Sequence, residues 1–452
     1  MLQFQTLPPS FAVLLMALRP CFTAPSFRTF TALLAGMIAI PQRRTITGML
    51  TGAGVAGIWH HSRAYWFFGR ARWRVDQVSA ALTRLVVSRL LAPDAAVLIA
   101  VDDTLFHRSG RKVHAAGWHH DGAAKGPRGN KIAWGNNWVI AAIVVTLPFS
   151  DRPVSLPAAF ALWTKGGPTK QVLLGQLVTR IAAACPGRQV HVVADAHYAG
   201  ADGAPGATHD ANRQRGLPAG VTLTSRLRAN AKLHAIATPT PGKGGRPKRI
   251  GALLGTPKHL AATTTAWTRT PVTRYGRTDT VDLADTVCLW YGAYRSRAVR
   301  VILIRDPHSN TTAGYDLALI TTDLTSPPAT IVTRYAARWS IEVAIEDAKQ
   351  TTGVGQTRTR TPAAVTRTVP FGLLTQTLIV TWYTLHGDHQ ATVTERRAHA
   401  PWYRSKTQPA YHDMITTLRR TLITAKFRAG RPTPPTPQET HAILLSWAEA
   451  AA

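Results

Sequence analysis

Two short apolar runs, each stopped by an acid, restrict the fold of this chain more than any other feature. Val97-Leu-Ile-Ala-Val101 runs into Asp102-Asp103-Thr104, and Val190-His-Val-Val-Ala194 runs into Asp195. Apolar runs of this length, rich in valine, read as central strands buried on both faces between helices. Strands are expected at 96–102, 138–147, 154–163, 189–194 and 221–226. A helix is expected over Thr169–Ala184, closed by Pro186-Gly187. In open α/β sheets ligands collect beyond the carboxyl ends of such strands, where both acids are expected. Taken singly, a strand-end Asp is more often a turn or cap residue.

A third carboxylate lies in Tyr335–Lys349, a stretch of Ala, Ile, Glu and Lys free of Gly and Pro that reads as one helix. At ~100° per residue, Tyr335, Arg338, Glu342 and Lys349 share a sector of roughly 60°. Arg338 and Glu342 are spaced to pair, which alone describes any solvated helix. Glu346 and Asp347 fall outside that sector and read as surface acids. Two strand-end Asp residues and one helical Glu form a set of oxygen donors suited to two hard divalent cations.

These residues resemble a known family. Tyr335, Arg338, Glu342 and Lys349 match the YREK signature of the IS4-like DDE transposases, and Asp103, Asp195 and Glu342 match the DDE triad in order and setting. The tracts 102–113 and 338–355 look most like the IS701 branch, and the likeness spans roughly 40–420. The resemblance implies an RNase H-like catalytic domain interrupted by a β-rich insertion. It implies Asp103, Asp195 and Glu342 as catalytic metal ligands for two Mg²⁺ ions, with Mn²⁺ as a substitute. Asp103 is expected to bridge the metals, which turns Asp102 away by the strand pleat. Arg338 and Lys349 are implied to hold phosphate oxygens, Tyr335 to touch the terminal DNA, and Arg226 to contact DNA near the cleavage site. A base-stacking aromatic is sought among Tyr315, Trp290 and Trp267.

Composition agrees with a polyanionic partner. The 452 residues hold 53 Lys and Arg against 23 Asp and Glu, a net charge of +30 spread along the chain. Hydrophobic content of 45% favours a folded protein over a basic disordered one. Basic residues interleave with aromatics around 41–73, and Arg43, Arg44, Arg63 and Arg70 are candidate DNA contacts there. Further candidates are Arg108, Arg111, Lys112 and Lys125 in polar loops, Arg228 beside Arg226, and Arg246 and Lys248 in the turn-rich run 239–249. Solvated loops and a helical core explain the same residues without DNA.

Three separated cysteines, Cys21, Cys185 and Cys288, fit a reducing cytoplasm and no Cys-type zinc site. The histidines show no metal-binding spacing. The N-terminal apolar runs are too short to span a bilayer. The expected layout is a helical DNA-binding region at 1–94, a catalytic domain at 95–385 with an insertion at about 229–315, and C-terminal helices and linker at 386–452. The expected protein is a cytoplasmic, nucleoid-associated insertion-sequence transposase. It binds the terminal inverted repeats of double-stranded DNA as a homodimer, without a membrane, and carries out strand cleavage and transfer. The rivals are an inactive DNA-binding relative, an RNase H-like nuclease without strand transfer, and a basic membrane-surface protein.

Overall fold

The computed structural model describes residues 7–122, 124, 131–199, 216–237, 248–428 and 436–451. Helices come first: α1 (Pro9–Met16), α2 (Ala24–Ala39), α3 (Ile46–Gly52), α4 (Ser62–Gly69) and α5 (Val75–Leu90). Next come β1 (Val97–His107), β2 (Gly117–His120), β3 (Ile132–Val145), β4 (Val154–Leu162), α6 (Lys170–Ala184), β5 (Val190–Ala194) and β6 (Val221–Arg226). A middle block holds β7 (Leu233–His234), β8 (Leu253–Gly255), α7 (Pro257–Thr263), β9 (Thr268–Arg274), β10 (Arg277–Cys288), α8 (Tyr291–Tyr294), β11 (Val299–Arg305) and β12 (Leu317–Thr321). The chain closes with α9 (Pro328–Ala336), α10 (Trp339–Gln350), α11 (Pro362–His386), α12 (His389–His399), α13 (Tyr411–Arg428) and α14 (Pro437–Ala451).

One large mixed sheet organises these elements, in the order β2-β3-β1-β5-β6-β12-β11-β10-β9, with β4 also on β3. β1 pairs antiparallel with β3, and β3 with β4, while β1, β5 and β6 run parallel. That five-strand arrangement is consistent with an RNase H-like domain. β9, β10 and β11 lie in or near the stretch expected to be β-rich, and they extend this same sheet through β12.

The two faces of the sheet carry separate cores. Val97, Ile99 and Val101 of β1 pack with Leu173, Leu174 and Leu177 of α6, together with helices from both ends of the chain. Ala100 and Phe106 of β1 and Val193 of β5 pack with Ile341, Ile345 and Ala348 of α10. Each fully buried Leu, Ile or Phe contributes about 2–3 kcal/mol, so the strand pleat is held firmly in register.

The terminal helices are tied to one another. Arg419 of α13 donates to the Ile38 carbonyl at 2.8 Å, and Lys426 to that of Gly52 at 2.9 Å. α2 and α3 touch through glycines: a Cβ at Gly36 would lie 1.8 Å from the Met49 carbonyl oxygen. α11 is long and apolar enough to cross a membrane, but 83% of that window is buried inside the protein. Its polar residues bond inward, Thr375 to Phe371 O, Thr377 to Pro157 O and Gln376 to Ala344 O.

Three sequence expectations change. β1 does not stop at its acids but continues to His107, because its β3 edge stays paired as far as His107↔Gly135. The polar stretch between Arg111 and Lys125, read as loop, also holds a strand at Gly117–His120. Tyr335–Lys349 is not one helix: Arg338 N–H bonds the Tyr335 carbonyl and Ile341 N–H that of Arg338, a tighter i,i+3 turn separating α9 from α10.

Candidate functional site

The pairing of β1 with β5 ends at Val101↔Ala194. Past that point β1 keeps only β3 as a neighbour, and the sheet opens. Asp102 and Asp103 line one side of the opening, and Asp195, just beyond β5, caps the short turn Ala196–Tyr198 on the other. The Asp195 carboxylate accepts the His197 N–H at 2.9 Å, and its carbonyl accepts the Ser225 hydroxyl at 2.6 Å.

The pleat separates the two adjacent acids. Ala100 faces α10, so Asp102 does too. Its Oδ2 lies 3.6 Å from Arg338 Nη1, while Arg338 Nη2 donates to Glu342 Oε1 at 2.6 Å. Asp103 faces α6 and accepts from Lys170 Nζ at 2.5 Å and from the Tyr198 hydroxyl at 3.1 Å. The expectation that Asp103 meets Glu342 is therefore corrected: alternation along β1 puts Asp103 on the α6 side of the sheet.

The groups facing the opening share one field. Burial, joined by the charges of Asp195 and Asp103, pushes the Asp102 carboxyl up to about 7 against the pull of the Asp103 N–H and Arg338. Burial raises the Tyr198 phenol, and Asp103, Asp102 and Asp195 push it the same way. Burial also raises Tyr335, while Arg338 and Arg226 oppose it and Asp195 adds to it. Asp102, Asp195, Arg338, Tyr335 and Arg226 thus act on one another, and Glu342 joins through Arg338. Lys349 lies further along α10, 5.5 Å over the Phe106 ring, and burial lowers its ammonium pKa against the charge of Asp121.

The candidate DNA cations divide by exposure. Arg43, Arg70, Arg111, Lys112, Arg226, Arg228 and Lys248 are exposed. Arg63 is half-buried, 3.8 Å over the Trp59 ring and bonded to Thr29. Arg44 and Arg108 are buried, and a phosphate cannot reach them. Arg108 instead clasps Asn136, Gly355 and Thr357, fastening the end of β1 to the loop after α10. Arg246 and Lys125 lie outside the described residues. Trp267, Trp290 and Tyr315 each lean on the core of the middle block, and Arg305 covers Trp267. Asp347, read as a surface acid, is half-buried, and burial with Glu346 raises its carboxyl to about 6.

Sequence reasoning overlooked Lys170 and Tyr198. One signal was present for each: Lys170 opens α6 directly after its Thr169 cap, and Tyr198 follows Asp195 by less than one helical turn.

The donor chemistry of Asp102, Asp195 and Glu342 suits a hard cation, which prefers oxygen. Asp102, half-buried beside two other Asp carboxylates, calls for positive charge, and Arg338 supplies some of it. Among the described residues, no three His, Cys, Asp or Glu side chains are gathered into a closed metal-binding group. The expected meeting of Asp103, Asp195 and Glu342 at one point is not seen; Arg338 stands between the strand acid and the helical one.

Residues 17–282, more than half of the chain, match the family described as DDE superfamily endonuclease. The chain belongs to that family. The matched span includes Asp102, Asp103 and Asp195 and ends before Glu342. No curated protein matches the chain. Membership makes this DDE endonuclease a nuclease of the transposase type, with DNA as its substrate, in a family that generally uses divalent metal ions.

Proposed function

We propose that this DDE endonuclease is the transposase of an IS4-like insertion sequence of the IS701 branch. It binds the terminal inverted repeats as a dimer, cuts the DNA strand and joins the freed 3′ end to a target. The observation that carries this reading is Arg338, which reaches Asp102 and Glu342 together beside Asp195, where β5 leaves β1. The four signature residues support it as well. Tyr335, on α9, and Arg338, just before α10, lie at this opening, and Lys349 lies about two turns beyond Glu342 on α10.

One acid of the Asp102-Asp103 pair, with Asp195 and Glu342, would hold two Mg²⁺ ions, or Mn²⁺ in their place. When bound, such ions stabilise the attacking and leaving oxygens of phosphoryl transfer. Arg338, Lys349, Arg226 and Arg228 bind phosphate oxygens by charge-assisted hydrogen bonds. Tyr335 orients the terminal nucleotide. Arg43 and Arg70 of the N-terminal helices (1–94), together with Arg111, Lys112 and Lys248, contact the flanking duplex. Residues 95–385 form the catalytic domain, and 386–452 complete the fold in a cytoplasmic, nucleoid-bound protein.

The test is a Mg²⁺-dependent cleavage and strand-transfer assay on linear duplexes carrying the inverted repeats that flank the gene. Asp195→Ala and Glu342→Ala should bind these ends and cut nothing. Wild-type cleavage by either variant refutes the assignment, and cutting without joined product reduces the enzyme to a nuclease.

A further inference from the structure

We propose that the two adjacent acids divide the work: Asp102 is the strand carboxylate that serves with Asp195 and Glu342, and Asp103 is a positioning residue braced by Lys170 and Tyr198. This rests on the reading of the chain as a metal-dependent DNA nuclease.

Register is the first argument. Ala100 pairs with Val193 and Val101 with Ala194 in parallel strands, so the next positions, Asp102 and Asp195, lie side by side where the two strands part. Ala100 and Val193 lie in the core that includes α10, whereas Val101 and Ala194 lie in the core that includes α6. Two residues on from Ala100 and Val193, the pleat returns Asp102 and Asp195 to the α10 face, which carries Glu342.

The second argument is that both oxygens of Asp103 are already engaged. Oδ2 accepts from Lys170 and Oδ1 from Tyr198. Tyr198 is completely buried and belongs to the turn that Asp195 caps, so its bond to Asp103 ties the middle of β1 to that turn. Gln171, next to Lys170, donates to the His197 carbonyl at 2.7 Å and fixes α6 to the same turn. Asp103, Lys170, Tyr198 and Gln171 thus fasten β1, α6 and the Asp195 turn from the side away from Glu342.

The third argument is the cost of the alternative. Bringing Asp103 to the Glu342 face requires a one-residue slip of β1. That slip turns Val97, Ile99 and Val101 out of their core and breaks pairing with β3 and β5 together.

The full-length protein tests this with two readouts, Mg²⁺-dependent cleavage of end-bearing duplex and Mn²⁺ affinity by calorimetry without DNA. Asp102→Asn, with Asp102→Ala as a second variant, should lose cleavage and Mn²⁺ binding while keeping the wild-type circular dichroism spectrum. Asp103→Asn keeps one acceptor oxygen for Lys170, and its amide can donate to the Tyr198 hydroxyl oxygen in place of the lost contact, so it should cut DNA and bind Mn²⁺ within about tenfold of wild type. Asp103→Leu and Tyr198→Phe should weaken Mn²⁺ binding by about tenfold or more, as changes beside a ligand do. Loss of Mn²⁺ binding in Asp103→Asn, or cleavage by Asp102→Asn, overturns the division. A wild-type protein that neither binds Mn²⁺ nor cuts DNA overturns the nuclease reading itself, and this proposal with it.

Discussion

The Arg338 guanidinium donates to the Glu342 carboxylate at 2.6 Å across a single turn, and its other nitrogen lies 3.6 Å from Asp102. The arginine precedes the first residue of α10, where the backbone tightens after α9. A side chain at that bend reaches the strand acid and the helical acid together, which a mid-helix position on a straight rod would not guarantee. Desolvation weakens the Arg338 charge, but Glu342, Tyr335 and Asp102 more than restore it.

Arg338→Ala should therefore impair end processing rather than folding. Binding of terminal duplex, followed as log Kd against log salt concentration, should lose about one unit of slope, as expected for one lost phosphate contact. Cleavage should fall more than binding does. An unchanged slope with an unchanged cleavage rate would remove Arg338 from the DNA interface.

Arg108 should behave in the opposite way. Its guanidinium is buried and satisfies three acceptors: Asn136 Oδ1 at 2.9 Å, Gly355 O at 3.2 Å and Thr357 O at 2.8 Å. Arg108→Ala leaves these acceptors unpaired and should cost about 2–4 kcal/mol in urea unfolding. Arg111→Ala and Lys112→Ala, exposed nearby, should stay within about 0.5 kcal/mol and weaken DNA binding instead.

Asp347 offers a pH-dependent test away from the carboxylate opening. Burial, then Glu346, raises its carboxyl from the ordinary range to about 6. A raised acid binds its proton more tightly in the folded state, so it costs stability once ionised. The cost is absent below the unfolded value of about 4, grows between there and about 6, and is complete above. Asp347→Asn should thus stabilise the protein at pH 8 by about 1–3 kcal/mol and leave it unchanged at pH 3.5. Equal thermal shifts at both pH values would refute the buried-acid account.

The elements themselves were readable because their signals are local. β5, β6 and α6 fall within a residue or two of where valine runs, the Thr169 cap and Pro186-Gly187 place them. Apolar spacing likewise locates α2 and α5, and an all-round apolar composition marks α11 as buried. The helix α12 was not foreseen: it is polar all round apart from Val393, and periodicity has little to act on there. The length of β1 was missed because its second half is paired on one edge only, and its polar residues there look like a loop.

The chain's own order of residues determined that acids would follow valine-rich strand runs, that a helix would carry Glu342 about one turn from Arg338, and that a strong positive charge would favour a polyanionic partner. These follow from side-chain chemistry and short-range spacing. Which of Asp102 and Asp103 faces Glu342, and which arginines stay free for phosphate, were decided by tertiary structure alone. Facing depends on the register of β1 against β3 and β5, and burial of Arg44 and Arg108 depends on segments hundreds of residues away folding over them. Neither relation is written in any local pattern, because a pleat has two faces and a guanidinium is equally charged on either side of a surface.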